Sequence, residues 1–311
     1  MLYHTFLSAI RQQMQKRLGD EYVLTLHRIP RNNGLCLDGL SICGKGSRVA
    51  PTIYLNTCYQ RFQNGTPLNQ ILDELVSLYR QSLDNTPFDL NLLECAASVR
   101  PRVAFRLINA QSNCELLKTL PHIPVLDLAK VFYLDLGADG AGTMTVRITN
   151  AHLDHWDMDL ETLNRLADHN TPRLFPARIS SIEDALGDLL LPDRCDGSTC
   201  FDPTAFSGPD FPLYILSNQS GFSGAACMLY PDILKDFADR MKANLVVLPS
   251  SIHEVLLLPD RGDQNYMELC RTVASINHSE VDPEERLSNH AYLFSRSTGR
   301  LRMAPVSPNP L

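Results

Sequence analysis

The chain has 311 residues, 44% of them hydrophobic, and a formal net charge of −7, so it can bury a substantial core and is too acidic to be built mainly for neutralising phosphates. No apolar run approaches the roughly 20 residues that span a bilayer, and no charged start, apolar middle and small-residue cleavage site follow one another at the N-terminus. A cytosolic globular protein is expected. The nine cysteines (36, 43, 58, 95, 114, 195, 200, 227 and 270) are odd in number and scattered through apolar segments, which fits reduced thiols better than a disulfide framework. Residues 1–102 hold eleven Lys or Arg against eight Asp or Glu, and the remainder of the chain is correspondingly acidic.

Tyr3, Phe6, Leu7, Ile10, Met14 and Leu18 recur at helical spacing, and Gly19 is placed to end that helix. Tyr22–His27 and Leu35–Cys43 read as strands joined through Asn32-Asn33-Gly34. A short strand after Pro51, a helix to Asn64 and a stronger helix marked by Leu68, Ile71, Leu72, Leu75, Val76 and Tyr79 complete a first region, 1–98. In a central region, 99–190, strands are expected at Val103–Ile108, within Val125–Leu136 and at Met144–Ile148, with a brief helix at Cys114–Leu117. Asn150 reads as one N-cap, Asp157 or Asp159 as another, and Ser180 to Glu183 as a capping box. Residues 191–212 are rich in proline and turn pairs and read as an irregular connection.

The densest alternation of signals lies between Leu213 and Asp260. It reads as strands at Leu213–Ser217 and Ala225–Tyr230 forming a hairpin, a helix with the stripe Ile233, Leu234, Phe237, Ala238 and Met241, then strands at Leu245–Leu248 and Ile252–Leu258. A helix through Met267, Cys270, Val273 and Ala274, a helix start at Asp282-Pro283-Glu284-Glu285 and a strand at Ala291–Ser295 close the 213–300 region. The tail from 301 to 311 reads as loose. The fold class expected is α+β, a mostly antiparallel sheet built from hairpins with helices packed on one side.

Five separated stretches, PTIYLN (51–56), FRLIN (105–109), ITNAHLDHWDMDLETLNRLADHNT (148–171), LPSSIHEVLLLPD (248–260) and SEVDPEERLSNHAYLFSRSTG (279–299), together resemble an uncharacterised bacterial family, domain of unknown function 5688. The resemblance covers almost the whole chain and implies an origin in Clostridia-type bacteria. It implies no substrate, cofactor or catalytic residue.

Two clusters carry residue types suited to chemistry. His152, Asp154, His155 and Asp157 place two imidazoles three residues apart on a helix, and His169 from the next helix is the nearest candidate for the third ligand a catalytic zinc normally needs. The plainer reading makes Asp157 or Asp159 a cap and Trp156 a packing residue. Ser250, Ser251, His253 and Glu254 supply the types needed for nucleophile, base and orienting acid. In an extended strand, however, Ser251 and His253 share one face while Glu254 points to the other, so adjacent members cannot form a relay.

Other motifs are weaker. Gly221-Phe222-Ser223-Gly224 lacks the glycine spacing and lysine of a phosphate loop, and Cys195 and Cys200 have no second pair to complete a zinc ribbon. Arg100, Arg102 and Arg106 crowd the start of a strand and read as a solvated face. No cofactor is expected. An interaction or regulatory protein without a catalytic centre is the first functional expectation, with an unknown protein partner, since hairpin edges can pair with other chains. A metal-assisted hydrolase built on His152 and His155 is the alternative, and nucleic-acid binding is disfavoured by the charge.

Overall fold

Phe6, Ile10 and Met14 lie one helical turn apart, and in the computed structural model Tyr3–Leu18 is a helix (α1) that buries all three. Gly19, at a φ of 91° that suits glycine, ends it and donates its N–H back to Gln15 O. The structure describes residues 1–46, 50–84, 93–139, 142–182 and 212–305. It divides into two units, Met1–Leu90 and Asn91–Leu311, so the first region ends nearer 90 than the expected 98.

In the first unit α1 is followed by β1 (Tyr22–Pro30), β2 (Cys36–Gly44), β3 (Thr52–Tyr54), α2 (Asn56–Gln63) and α3 (Leu68–Asp84). The sheet order is β1-β2-β3, all antiparallel, with Tyr22 opposite Gly44 and Pro30 opposite Cys36. β1 runs three residues further toward the turn than expected and β2 is shifted by one, and Asn33 and Gly34, both at positive φ, make the reversal. Leu24, Leu40 and Ile42 face a core shared with Phe6, Ile10 and Met14 of α1 and Ile71, Leu75 and Tyr79 of α3. Each such side chain removed from water contributes roughly 1.5–3 kcal/mol, and the helices of this unit all join that one cluster. The opposite face of β1, with Val23, Thr25 and His27, is exposed.

The second unit begins with a short helix, α4 (Ala96–Val99), and contains two antiparallel sheets. In the smaller sheet β6 (Leu128–Asp139) pairs β4 (Val103–Asn109) on one side and β5 (His122–Val125) and β7 (Gly142–Arg147) on the other. Helices α5 (Cys114–Leu117), α6 (Asn150–Trp156) and α7 (Leu160–Leu174) belong to this half. The larger sheet has β8 (Ala177–Ser181) and β9 (Tyr214–Asn218) at one edge. It also holds β10 (Asn244–Leu248), β11 (Val255–Asp260), β12 (Tyr292–Ser295) and β13 (Arg300–Met303), in the order β13-β12-β10-β11-β9-β8.

Leu245, Val247, Val255 and Leu257 point to the main core, which includes Leu234, Phe237 and Ala238 of α8 (Ile233–Met241) and Phe105 and Phe132 of the smaller sheet. Val246, Leu248, Leu256 and Leu258 point the other way, onto Val273, Leu269 and Cys270 of α9 (Tyr266–Ser279). This two-residue alternation is why the larger sheet carries a helix on each face, whereas the one-sided packing expected is seen in the first unit. Mostly antiparallel pairing in an α+β fold is the architecture throughout.

Several expectations are corrected. Gly224–Leu229 is a 3-10 helix and not the second strand of a hairpin, because five of its six residues are buried with no alternation of exposure. An ideal Cβ on Gly224 would lie 2.1 Å from Ser217 Oγ and 2.4 Å from His253 O, so only glycine fits there. Ser180 and Ser181 lie in β8, paired with Ile215 and Tyr214, and Ile182 after them is helical; the rest of the helix expected there, with Glu183, falls outside the described residues. Thr149, rather than Asn150, is the N-cap of α6. Asp282 closes a turn by accepting from the N–H of Glu284 at 2.8 Å, and no helix starts there. The expected loose tail begins later than 301, since Arg300–Met303 completes the sheet against β12. The connection expected at 191–212, with Cys195 and Cys200, lies outside the described residues except for Phe211's successor, Pro212.

Candidate functional site

The His152 cluster is organised around a helix start. The Thr149 N–H donates to His152 Nδ1 at 3.1 Å, which completes a capping box, and the His152 ring stacks on Trp156 with centroids 5.2 Å apart. Trp156 in turn donates its indole N–H to Leu93 O at 2.7 Å. Burial, and then neighbouring His155, hold the His152 pKa below the usual imidazole value. A ring whose Nδ1 accepts from a backbone N–H has only Nε2 left to offer. Asp157 is the left-handed C-cap of α6, and Asp159 caps α7 by accepting from the Thr162 N–H at 2.7 Å. Among the described residues no three His, Cys, Asp or Glu side chains gather as a metal site, so Asp154, His155 and His169 are not brought together with His152 into one.

The segment expected to extend β11 back to Ile252 is an irregular loop. Pro249 to Ile252 runs beside Glu285 to Ser288, with the Ser288 N–H donating to Pro249 O, Leu287 to Ser250 O and Ile252 to Glu285 O, all at 2.8–2.9 Å. These bonds turn His253 toward Glu285, whose Oε1 lies 3.4 Å from His253 Nε2, and toward Gly221 O, 3.1 Å from Nδ1. Ser251 Oγ accepts from the His253 N–H at 3.0 Å, a turn contact that does not aim it at the ring, and Ser250 is buried. Glu254 makes no hydrogen bond among the described residues, and burial raises its pKa. Ser251, His253 and Glu254 therefore adjoin without forming a relay.

Sequence reasoning missed a carboxylate bracket. Asp127 accepts from Ser288 Oγ at 2.6 Å and from the Tyr292 hydroxyl at 2.5 Å, and its Oδ2 lies 3.0 Å from His290 Nδ1. The polar residues Ser288, His290 and Tyr292 at alternate positions were the available signal. With aspartate at the centre, the cluster ties the β5–β6 turn to β12. Arg106, expected in solvent, lies over the Tyr133 ring at 4.4 Å and near Phe222 at 5.4 Å, a cation–π contact that half-buries it.

The first unit holds an open feature of a different kind. In β1 the odd residues bond to β2, as the Lys45 N–H to Glu21 O and the Arg31 N–H to Leu35 O bonds at the two ends show. The N–H and C=O groups of Leu24, Leu26 and Arg28 consequently point to the free edge, where no described residue bonds them. Beside that edge is a groove of about 610 Å³ lined by Leu26 and by Ser8, Arg11, Gln12, Gln15 and Lys16 of α1. These α1 residues fall at three- and four-residue spacings along one flank of the helix. Neither Arg11 nor Lys16 has an ion-pair partner among the described residues. A concavity of the second unit lined by Lys235, Lys242, Asp260 and Arg296 differs, because Asp239 there already pairs with both Lys235 and Arg296.

Residues 3–296 match the model of a family of unknown function, DUF5688. The chain belongs to that family. No curated protein and no solved structure matches it. The stretch of this DUF5688 chain that matches takes in the β1 edge, the α1 flank, the His253 loop and the Asp127 bracket. No helix of the DUF5688 chain is long and apolar enough, among the described residues, to cross a membrane.

Proposed function

We propose that the chain is an interaction protein whose first unit takes up an extended segment of a partner protein as an additional strand beside β1. The observation that carries this reading is the outward main chain of Leu24, Leu26 and Arg28, which no described residue bonds, beside the groove that Leu26 lines. An edge of nine residues is long for a strand left free, and unpaired edges are the usual template for strand addition. The His152 and His253 clusters carry no comparable support for catalysis, since each imidazole is engaged in holding a cap or a loop. The seven described cysteines are free thiols, which supports placing this interaction in the reducing cytosol.

Selection from a random-peptide library tests the reading directly. Enriched peptides should bind the full chain and lose binding in Arg28→Pro, which removes one outward N–H and leaves the odd-residue bonds to β2 intact. Enriched peptides that bind Arg28→Pro as tightly as the wild type would count against strand addition at β1.

A further inference from the structure

Resting on that reading, we infer that the partner segment is acidic at alternate positions. A strand laid along β1 projects every second side chain to the α1 side of the sheet and the others to the face of Val23, Thr25 and His27. On the α1 side it meets Arg11 and Lys16, two cations without ion-pair partners among the described residues, together with the amide and hydroxyl groups of Gln12 and Ser8; no carboxylate is among the described residues lining the groove. On the other side it meets Val23, which is 60% exposed, so apolar or small residues suit the intervening positions. From Leu24 to Arg28 the edge offers main-chain partners over about 13 Å, the length of four to five extended residues.

A second copy of the chain is the competing occupant of any free edge. Pairing two β1 strands would set the cations of one copy, Arg11, Lys16 and Arg28, against those of the other. The same charges that admit a carboxylate-bearing strand oppose self-association.

The test uses the full chain and two fluorescein-labelled eight-residue peptides, one alternating Glu with Val and one alternating Lys with Val, read by anisotropy at low and high salt. The acidic peptide should bind, should weaken as salt rises, and should lose roughly 5- to 10-fold in affinity in the double variant Arg11→Glu/Lys16→Glu, which should in turn take up the basic peptide. Both substitutions lie on an exposed helix flank, and circular dichroism checks that the variant is folded. Equal binding of both peptides, abolished by Arg28→Pro, would overturn the acidic partner while leaving strand addition in place. Binding of neither peptide would overturn strand addition itself. A salt-stable dimer in sedimentation, lost in Arg28→Pro, would assign the edge to a second copy and overturn the acidic partner.

Discussion

Gln15 Nε2 donates to Tyr22 O at 2.9 Å, and the same amide donates to Gly19 O at 2.9 Å. The end of α1 thereby closes the start of the β1 edge and leaves it open from Leu24 onward. Gln15→Ala should cost about 1 kcal/mol in urea unfolding, the usual net value of such bonds, and should leave peptide uptake at Leu24 and Leu26 intact. Loss of uptake in a folded Gln15→Ala chain would mean that the amide itself contacts the ligand.

Gly224 sits where backbone and side chain converge. Gly224→Ala forces a methyl group against Ser217 Oγ and His253 O, and neither the carbonyl nor the bonded hydroxyl can move freely, since Ser217 donates to His253 O at 2.7 Å. A loss of roughly 2–3 kcal/mol is expected in chemical denaturation. A neutral result would show that the loop carrying His253 relaxes.

Glu254 is a carboxylate whose pKa burial raises and for which no described residue supplies a hydrogen bond. A raised folded-state pKa means that the favourable contribution of the protonated form is complete below the ordinary carboxylate pKa and is lost as pH rises through the folded one. Glu254→Gln should therefore stabilise the chain at pH 7, and the gain should shrink toward zero at acid pH. Paired urea titrations at pH 7 and in the acid range decide this; a variant destabilised at pH 7 would mean that the charged form has a partner.

Asp127 holds three side chains of the segment from Ser288 to Tyr292, which leads into β12. Asp127→Ala leaves the buried Tyr292 hydroxyl without its acceptor and should cost roughly 3 kcal/mol, against about 1 kcal/mol for Tyr292→Phe, which removes donor and demand together. Similar losses in the two variants, measured by denaturant unfolding, would contradict a bracket centred on the carboxylate.

Helices with a single apolar stripe were legible in the sequence: α1, α3, α8 and α9 form where Phe6-Ile10-Met14, Ile71-Leu75-Tyr79, Leu234-Phe237-Ala238 and Cys270-Val273 predict them. The β1–β2 hairpin was legible for the same reason, through alternation and an Asn-Gly turn. Segments without periodicity were not. Gly224–Leu229 is apolar all round and reads equally as strand or helix, and β8 has one strong strand former, Ile179, in five residues. The site was harder, because the sequence names residue types and not partners. His152 has the residue type of a ligand, yet its Nδ1 accepts the Thr149 N–H, and the carboxylate beside His253 is that of Glu285, 32 positions away, and not adjacent Glu254. The open edge of β1 depends on which strand lies next to it, a long-range fact that local spacing does not encode.

Amide hydrogen exchange resolved by residue, in the free chain and with the acidic peptide, tests strand addition most directly. In the free chain the amides of Val23, Thr25 and His27 bond to β2 and should exchange slowly, while those of Leu24, Leu26 and Arg28 should exchange fast. Saturating peptide should slow Leu24, Leu26 and Arg28 and leave the odd residues unchanged. Protection confined to residues outside β1, or none at all in a chain that binds the peptide, would contradict the proposed edge.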